Sequence, residues 1–350
     1  MEGNNMKTNI YLEKFRHLLI RNKLDALLIY ANGYDDRFMR ALSGTYSILQ
    51  DYVFVTLTEF IISEPGYLIA ETQRRTNIEI ISAGGEDLVI EPIAKILGLN
   101  KRIGVIGNCR FRDVESLHSS TAIDLTTQAD EIIRFKTDEF IDKISKPARL
   151  LTQIVQRGEI FPGQNQLELD KKIKQDIMAT GSQLAFPPCI TSGNDLRIST
   201  CLSPTNKKFA NQDMVCIDAG LKSDIFTTDM TRMFFLRNPE AESICSRLMF
   251  IHQEIISKFI HTELKWSKLI SEYQKRFNKI PGVDRCLKED FGHGIGFGLH
   301  EQLMIDRSQE KIGKNIVFTI EPTVVTKFGM MRFEDMIAID SKGHVKILTQ

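Results

Sequence analysis

Residues 214–235 read M-V-C-I-D-A-G-L-K-S-D-I-F-T-T-D-M-T-R-M-F-F, which is two apolar runs around a short polar segment. Each run is rich in large apolar and β-branched side chains, a composition that favours a strand. One carboxylate interrupts each run, at Asp218 and at Asp229. A turn centred between Ser223 and Asp224 would place these carboxylates directly opposite each other on one face of a hairpin. The segment therefore predicts two adjacent carboxylates within a sheet.

A second hairpin with the same design is predicted for residues 316–338. Glu321 follows the apolar run I-V-F-T-I, and Glu334 precedes D-M-I-A. The two glutamates are symmetric about Lys327-Phe328, so a turn there would again oppose them. Neither turn contains Asn-Gly or Asp-Gly, so a longer loop or a bulge would shift the register.

A histidine flanked by glycines, His293 in G-H-G-I-G, lies between the two hairpins in the sequence. Burying four carboxylates without a compensating cation would be very costly. Two divalent ions would supply about four positive charges and leave the site close to neutral. Taken one at a time, these acidic residues are equally well interpreted as edge or solvent-facing groups. Together with the histidine, they predict a site for a pair of divalent metals.

The ordered set of Asp218, Asp229, G-H-G-I-G-F-G-L-H-E, I-E-P and R-F-E-D resembles a family of metallopeptidases. This family comprises prolidases, aminopeptidases P and methionine aminopeptidases, and it has the pita-bread fold. The resemblance begins near Arg134 and extends more loosely to an N-terminal domain like that of prolidases and creatinases. It implies an α+β pita-bread catalytic domain at residues 129–350 and a smaller α/β, creatinase-like domain at residues 1–128.

The resemblance also implies a role for each metal ligand. Asp218 would bind the first ion, and Asp229 and Glu334 would bridge both ions. His293 and Glu321 would complete the second position. Oxygen-rich ligation with one imidazole and no thiolate is compatible with Mn²⁺, Co²⁺, Fe²⁺ or Zn²⁺, and Mn²⁺ is our first choice.

Three residues are assigned to catalysis through the same resemblance. His300 matches a histidine that contacts substrate and stabilises charge during attack on the scissile carbonyl, although by itself it is equally well interpreted as an ordinary hydrogen-bonded histidine. Arg332 matches an arginine that orients the cluster or the substrate carboxylate, and Glu321 would act as base or ligand during proton transfer. The expected reaction is hydrolysis of an Xaa-Pro amide bond in a dipeptide or short peptide by a metal-bridging hydroxide.

One position departs from the family pattern. Prolidases and aminopeptidases P have a histidine that contacts substrate in the segment before the first aspartate, where this chain has Thr200 or Cys201. We interpret Cys201 as a buried apolar filler rather than a catalytic group. The missing imidazole leaves a second reading open, in which the same metal pair acts on another C–N bond of a modified amino acid or biosynthetic intermediate. A non-catalytic binding protein and a metal-free creatinase-like enzyme are disfavoured because all five ligand positions match.

Composition is that of an ordinary globular protein. The 350 residues include 45 Lys and Arg against 45 Asp and Glu, so no overall charge attracts nucleic acid or an anionic membrane. The six cysteines show no C-x-x-C spacing, and we expect them to be reduced. Residues 1–7 lack the apolar core of a signal peptide. We therefore expect a cytoplasmic protein with a small peptide or amino-acid-derived substrate, and the resemblance implies a homodimer.

Hydrophobic periodicity predicts the main elements of both domains. In the first domain, alternating helices and strands indicate a mixed sheet with flanking helices. The helices are predicted at 11–23 and 89–97, and the strands at 26–30, 52–57, 59–63, 78–81 and 103–107. In the second domain, Thr137 is expected to cap a helix that Pro147 kinks. Further helices are predicted at 165–179, 241–261 and 266–277.

Overall fold

The computed structural model describes residues 9–85 and 88–350. The chain divides into two compact units, Met1–Ile133 and Arg134–Gln350. A helix at Thr126–Arg134 spans the position after residue 128 where the boundary between the domains is predicted. The predicted absence of a signal peptide concerns residues 1–7, which lie outside the described residues.

The first unit alternates helices and strands along the chain. Its first helix begins at a capping residue, Asn9, whose side chain accepts hydrogen bonds from the backbone N–H groups of Tyr11 and Leu12. The elements in chain order are α1 (Ile10–Asn22), β1 (Ala26–Asn32), α2 (Arg37–Ser43), β2 (Gln50–Val55), β3 (Phe60–Pro65), α3 (Ile69–Gln73), β4 (Glu79–Ala83), α4 (Glu91–Leu97), β5 (Arg102–Ile106), α5 (Phe111–Ser116), β6 (Thr121–Asp124) and α6 (Thr126–Arg134).

The strands of the first unit form one mixed sheet in the order β4-β3-β2-β1-β5-β6. β1 pairs antiparallel with β2 and parallel with β5. The predicted mixed sheet is confirmed, and the predicted helices and strands appear with their ends shifted by a few residues. Residues of β1, such as Leu27 and Ile29, are completely buried, as expected of a central strand.

The second unit begins with long helices. Thr137 caps the first of them by accepting a hydrogen bond from the backbone N–H of Phe140, and the helix continues past Pro147 as one element. The elements are α7 (Asp138–Arg157), α8 (Gln166–Ala179), β7 (Gln183–Leu184), β8 (Cys189–Ser192), β9 (Met214–Ala219), β10 (Leu221–Ser223), β11 (Phe226–Thr227), β12 (Met230–Phe235), α9 (Pro239–Lys258), α10 (Trp266–Phe277), β13 (Val283–Cys286), β14 (His293–Gly294), β15 (Glu301–Met304), β16 (Ile316–Ile320), β17 (Thr323–Thr326), β18 (Gly329–Arg332), β19 (Asp335–Ile339) and β20 (Val345–Ile347).

Helices pack on antiparallel sheets in this unit, which confirms the α+β class. The main sheet has the order β15-β14-β16-β19-β20, and smaller sheets have the orders β12-β9-β8, β11-β10-β7 and β13-β17-β18. Trp266 of α10 packs edge to face on Phe318 of β16, with ring centroids 4.9 Å apart. A second apolar cluster joins α7 and α8 to β9, through residues such as Leu151 and Ile217. Among the described residues, we find no helix with the length and apolarity needed to span a membrane.

The register of the first hairpin differs from the prediction. Asp218 lies opposite Thr231 and not opposite Asp229. The turn is centred one residue later than expected, and β10 and β11 pair around Asp224, which has a left-handed φ of 54°. The residue opposite Asp218 is therefore Thr231, two positions after the predicted Asp229. Since side chains two residues apart on a strand lie on the same face, Asp229 still shares a face with Thr231. The two carboxylates therefore share a face as diagonal rather than direct neighbours.

The register of the second hairpin is confirmed. Ile320 pairs with Asp335 on one side, and Thr323 pairs with Arg332 on the other. Glu321 and Glu334 lie between these two pairs and are therefore opposite each other, as the symmetry argument predicts. They occupy the junction where the β16–β19 pairing ends and the β17–β18 pairing begins.

Candidate metal centre

Three of the five predicted ligands meet directly. Asp229, His293 and Glu334 each offer one atom within 4.8 Å of the other two, and all three side chains are buried. His293 Nε2 lies 3.7 Å from Asp229 Oδ2 and 3.7 Å from Glu321 Oε1. Glu321 therefore adjoins this group on the imidazole side.

Arg332 connects the remaining ligand position to the cluster. One of its terminal nitrogens contacts Asp218 Oδ2, and the other lies 3.2 Å from Glu321 Oε2. The guanidinium and both carboxylates are almost fully buried. All five predicted ligands and Arg332 thus form one contiguous group, although they come from five different segments of the chain.

The residues present fit divalent cations. In residues 9–85 and 88–350, the buried oxygens without a hydrogen-bond partner include one from each of Asp218, Asp229 and Glu334. A buried carboxylate oxygen without a partner is energetically costly. Carboxylate oxygens and an imidazole nitrogen are the donors that divalent first-row metals accept, so bound cations would satisfy these three oxygens.

Burial raises the pKa of all four carboxyl groups. The pKa values of Asp229 and Glu334 lie well above their usual range because burial is reinforced by neighbouring carboxylates, chiefly Glu334 for Asp229 and Glu321 for Glu334. Burial also raises the pKa of Asp218, and that of Glu321 to about 7, while the Arg332 charge opposes both shifts. Without a cation, the cluster therefore favours protonated carboxyl groups.

His293 is held in the orientation of a metal ligand. Its Nδ1 lies 3.0 Å from the carbonyl oxygen of Gly294, which assigns the ring proton to Nδ1 and leaves the lone pair of Nε2 facing the carboxylates. Its backbone N–H donates to Thr319 Oγ1 at 3.1 Å. Burial lowers the pKa of His293 to about 3, so the neutral ring is the form present at pH 7.

His300 lies beside His293, with the ring centroids 4.4 Å apart in an edge-to-face arrangement. The residue is exposed, which places it on the solvent side of the cluster. Partial desolvation lowers its pKa, and the Asp218 charge opposes that shift. The predicted catalytic residues His300, Glu321 and Arg332 therefore all lie in or next to the cluster.

Other residues in contact with the cluster were not identified from the sequence. Thr231 Oγ1 donates to Glu334 Oε2 at 3.0 Å, and Arg232 donates to the Glu334 carbonyl oxygen at 2.6 Å. Thr319 contacts both His293 and Glu321. A usable signal existed, because Thr231 lies two positions from Asp229 and Thr319 two from Glu321, so each threonine shares a strand face with a carboxylate.

The segment that lacks the family histidine contains a disulfide. Cys189 is bonded to Cys201, so the expectation that all six cysteines are reduced is wrong for this pair; the other four are free. Cys201 is exposed, not a buried filler, whereas Thr200 is buried. Cys189 lies opposite Asp218 in the β8–β9 register, so the bridge adjoins the cluster. Sequence spacing could not reveal this pairing because it depends on that register.

Comparisons with known proteins identify related sequences. The model of metallopeptidase family M24 matches residues 142–341, more than half of the chain. The chain is 23% identical over 344 residues to an Xaa-Pro dipeptidase from Pyrococcus furiosus, covering 95% of each sequence. It is 29% identical over 215 residues to a methionine aminopeptidase from Borreliella burgdorferi, covering 55% of this chain and 81% of that protein.

Solved structures with a similar fold cover most of the chain. The prolidase from Pyrococcus furiosus superposes with a TM-score of 0.80 at 21% identity, covering 95% of this chain and 98% of that one. The Xaa-Pro dipeptidase from Bacillus anthracis superposes with a TM-score of 0.80 at 18% identity, covering 97% of both chains. The chain therefore belongs to metallopeptidase family M24 and is a metallohydrolase with the pita-bread fold.

Proposed function

We propose that this protein is a dinuclear metal-dependent hydrolase that cleaves the Xaa-Pro amide bond of dipeptides or short peptides. The observation that carries the proposal is the buried group of four carboxylates and one imidazole, in which three carboxylate oxygens lack a hydrogen-bond partner among the described residues. A charge of this size is stable in a buried site only if cations or protons balance it. The similarity to the Xaa-Pro dipeptidase supports the choice of bond.

Asp218, Asp229, His293, Glu321 and Glu334 are the residues that would hold the two ions, and Mn²⁺ remains our first choice. When bound, two divalent ions supply a hydroxide nucleophile near neutral pH and polarise the scissile carbonyl. A homodimer, a cytoplasmic location and the domain limits of 1–128 and 129–350 stay predictions.

The side chains next to the cluster have complementary roles in this proposal. Glu321 lies beside the His293 ring and is placed to accept a proton and pass it to the leaving nitrogen. His300 is exposed beside His293 and is placed to donate a hydrogen bond to the developing oxyanion. Arg332 orients Asp218 and Glu321 through its two terminal nitrogens.

A second candidate function follows from the segment near Asp218. Neither of the two residues at the position of the family histidine can supply an imidazole. Thr200 is buried, and Cys201 is bonded to Cys189. A substrate that needs the missing histidine would bind poorly, which favours a different C–N bond, such as that of a modified amino acid, at the same metal pair.

Release of free proline from Gly-Pro and Ala-Pro separates the two candidates. With added Mn²⁺, we expect the wild-type protein to bind about two ions and release proline. Asp229→Ala should lose at least ~10³-fold in rate because a carboxylate that would hold the ions is removed. Exposed Asp284→Asn is the control and should keep full activity. Two bound ions without proline release would instead favour the second candidate, and absence of bound metal would contradict both.

A further inference from the structure

A buried ion pair lies next to the segment that carries both histidines. Lys136 Nζ is 2.6 Å from Glu301 Oε2, and their side chains are 0% and 1% exposed. The two residues are 165 positions apart in the sequence and both belong to the second unit. Neither residue is among the predicted metal ligands or catalytic groups.

Aromatic rings exclude water from this pair. Lys136 Nζ lies 5.6 Å from the ring centroid of Phe140 and 5.0 Å from that of Phe297. Gly296 completes the enclosure, with a left-handed φ of 148°, and a Cβ atom there would lie 2.6 Å from Lys136 Cε. The glycine therefore lets the backbone approach the lysine side chain closely.

The second oxygen of Glu301 binds the backbone between the two histidines. Oε1 accepts hydrogen bonds from the backbone N–H groups of Phe297 at 2.7 Å and Gly298 at 3.2 Å. These residues lie between His293 and His300, and Glu301 itself follows His300 directly. The Glu301 carboxylate therefore connects the end of the segment 293–301 to its middle through these two hydrogen bonds.

The same segment also holds the strand that leads to Asp229. The Gly296 carbonyl oxygen accepts the backbone N–H of Thr227 at 2.7 Å. The Phe297 carbonyl oxygen accepts the Thr227 hydroxyl at 3.2 Å. A displacement of the turn at residues 296–298 would therefore move both imidazoles. Through Thr227 it would also move Asp229, a proposed metal ligand.

We propose that Glu301, held by Lys136, is a positioning residue that fixes the turn at residues 296–298 and thereby sets His300 against His293 over the metal centre. A buried ion pair contributes little net stability compared with apolar side chains of similar size, so stability alone does not account for it. The effect on catalysis rests on the proposed function, whereas the effect on the turn does not.

Two double variants separate the positioning role from the ion pair itself. Lys136→Met with Glu301→Gln removes both charges and keeps an oxygen for the two backbone N–H groups. Lys136→Met with Glu301→Leu removes that acceptor as well. The control is Lys311→Met with Glu263→Gln, an exposed pair with the same 2.6 Å separation.

We expect the double variant with Glu301→Gln (the Gln variant) to keep kcat within ~3-fold of wild type. The double variant with Glu301→Leu (the Leu variant) should lose ~30-fold or more in kcat, with little change in KM or Mn²⁺ affinity. The reason is that a small misplacement of a catalytic group affects mainly the transition state. Hydrogen exchange in the metal-free protein should be ~10-fold faster at residues 296–298 in the Leu variant only. Thermal unfolding shows whether each variant is folded.

The exchange measurement keeps the inference testable without enzymatic activity. If wild type releases no proline, the proposed function fails, yet faster exchange in the Leu variant still supports the positioning role. If the folded Gln and Leu variants show equal exchange at residues 296–298, or equal kcat when the wild type is active, the positioning role is overturned. If neither double variant folds, Glu301→Gln alone should keep the slow exchange, and fast exchange in that single variant also overturns the inference.

Discussion

At the scale of single residues, the cluster is organised by charge. Four buried carboxyl groups face one guanidinium, that of Arg332, and an imidazole that burial keeps neutral. Although burial disfavours its charge, the neighbouring Asp218 and Glu321 raise the pKa of Arg332. Four acids against one fixed cation leave an excess of negative charge. The metal-free protein is therefore expected to lose stability at this site when the carboxyl groups ionise.

The first prediction concerns this excess charge. In EDTA at pH 8, Asp229→Asn should raise the free energy of unfolding by ~1–3 kcal/mol because it removes one of several mutually repelling buried acids. In saturating Mn²⁺, the variant should instead have a lower free energy of unfolding than wild type, because it has lost a proposed ligand. Urea unfolding in both conditions measures the effect, with exposed Asp284→Asn as the control. A variant less stable than wild type in EDTA would contradict this account of the charge.

The second prediction concerns pH and a carboxyl group in the first unit. Burial raises the pKa of Asp51 from its ordinary value of 3.8 to about 7, and its Oδ1 has no hydrogen-bond partner within the described residues. Since the folded state binds this proton more tightly, the stability contribution falls as pH rises from about 4 to about 7.

Asp51→Asn should remove this contribution to the pH dependence, which is worth at most about 1.4 kcal/mol for each pH unit. Urea unfolding between pH 4 and pH 8 compares the two slopes, again with Asp284→Asn as the control. Parallel stability curves for wild type and Asp51→Asn would show that this group does not titrate in that window.

At the scale of elements, glycine lets strands that carry ligands approach each other. Gly292 precedes His293 with a left-handed φ of 145°, and a Cβ atom there would lie 2.2 Å from the Thr319 carbonyl oxygen. Gly220, near Asp218, is similarly restricted, because its Cβ atom would lie 2.5 Å from the Thr228 carbonyl oxygen. Backbone atoms cannot move aside as a flexible side chain would, so these contacts set the spacing of the ligand strands.

The third prediction tests this spacing. Gly292→Ala should lower the free energy of unfolding by ~2–4 kcal/mol and weaken Mn²⁺ binding, because both the backbone conformation and the contact with β16 are lost. Gly313→Ala is a matched control, since a Cβ atom there meets nothing within 4 Å. Urea unfolding and calorimetric titration with Mn²⁺ give the two quantities. Unchanged Mn²⁺ affinity in a folded Gly292→Ala protein would show that the β14–β16 spacing does not position His293.

At the scale of the whole molecule, each unit has its own core. One apolar cluster lies within residues 26–117, and two others lie within residues 151–339. All residues of the proposed metal centre belong to the second unit. Ligand binding stabilises only the part of a protein whose folding forms the site.

The fourth prediction follows from this division. In calorimetry, Mn²⁺ at about 1,000 times its Kd should stabilise the second unit by about 4 kcal/mol and raise its unfolding temperature, and EDTA should reverse the shift. The unfolding temperature of the first unit should not change. Asp229→Ala should show no shift with Mn²⁺. A single transition that moves as a whole would contradict independent unfolding of the two units.

Much of the fold was predictable because it depends on short-range patterns. The predicted helix at 266–277 matches α10 in full, since its apolar residues recur at helical spacing. The register of the second hairpin was also predictable, because its symmetry about Lys327-Phe328 holds on both sides of Glu321 and Glu334. The first hairpin was wrong by one residue at its turn, where Asp224 adopts an unusual φ that its residue type does not require.

The sequence by itself predicted the type of site, because the five proposed ligand residues have characteristic neighbours and a characteristic order. Only the tertiary structure decided which atoms meet. The bridge between Cys189 and Cys201, the Lys136–Glu301 pair and the contact of Arg332 with Asp218 each join residues through the register or packing of separate segments. Local patterns report the preferences of nearby residues, whereas these contacts exist only after distant segments have packed together.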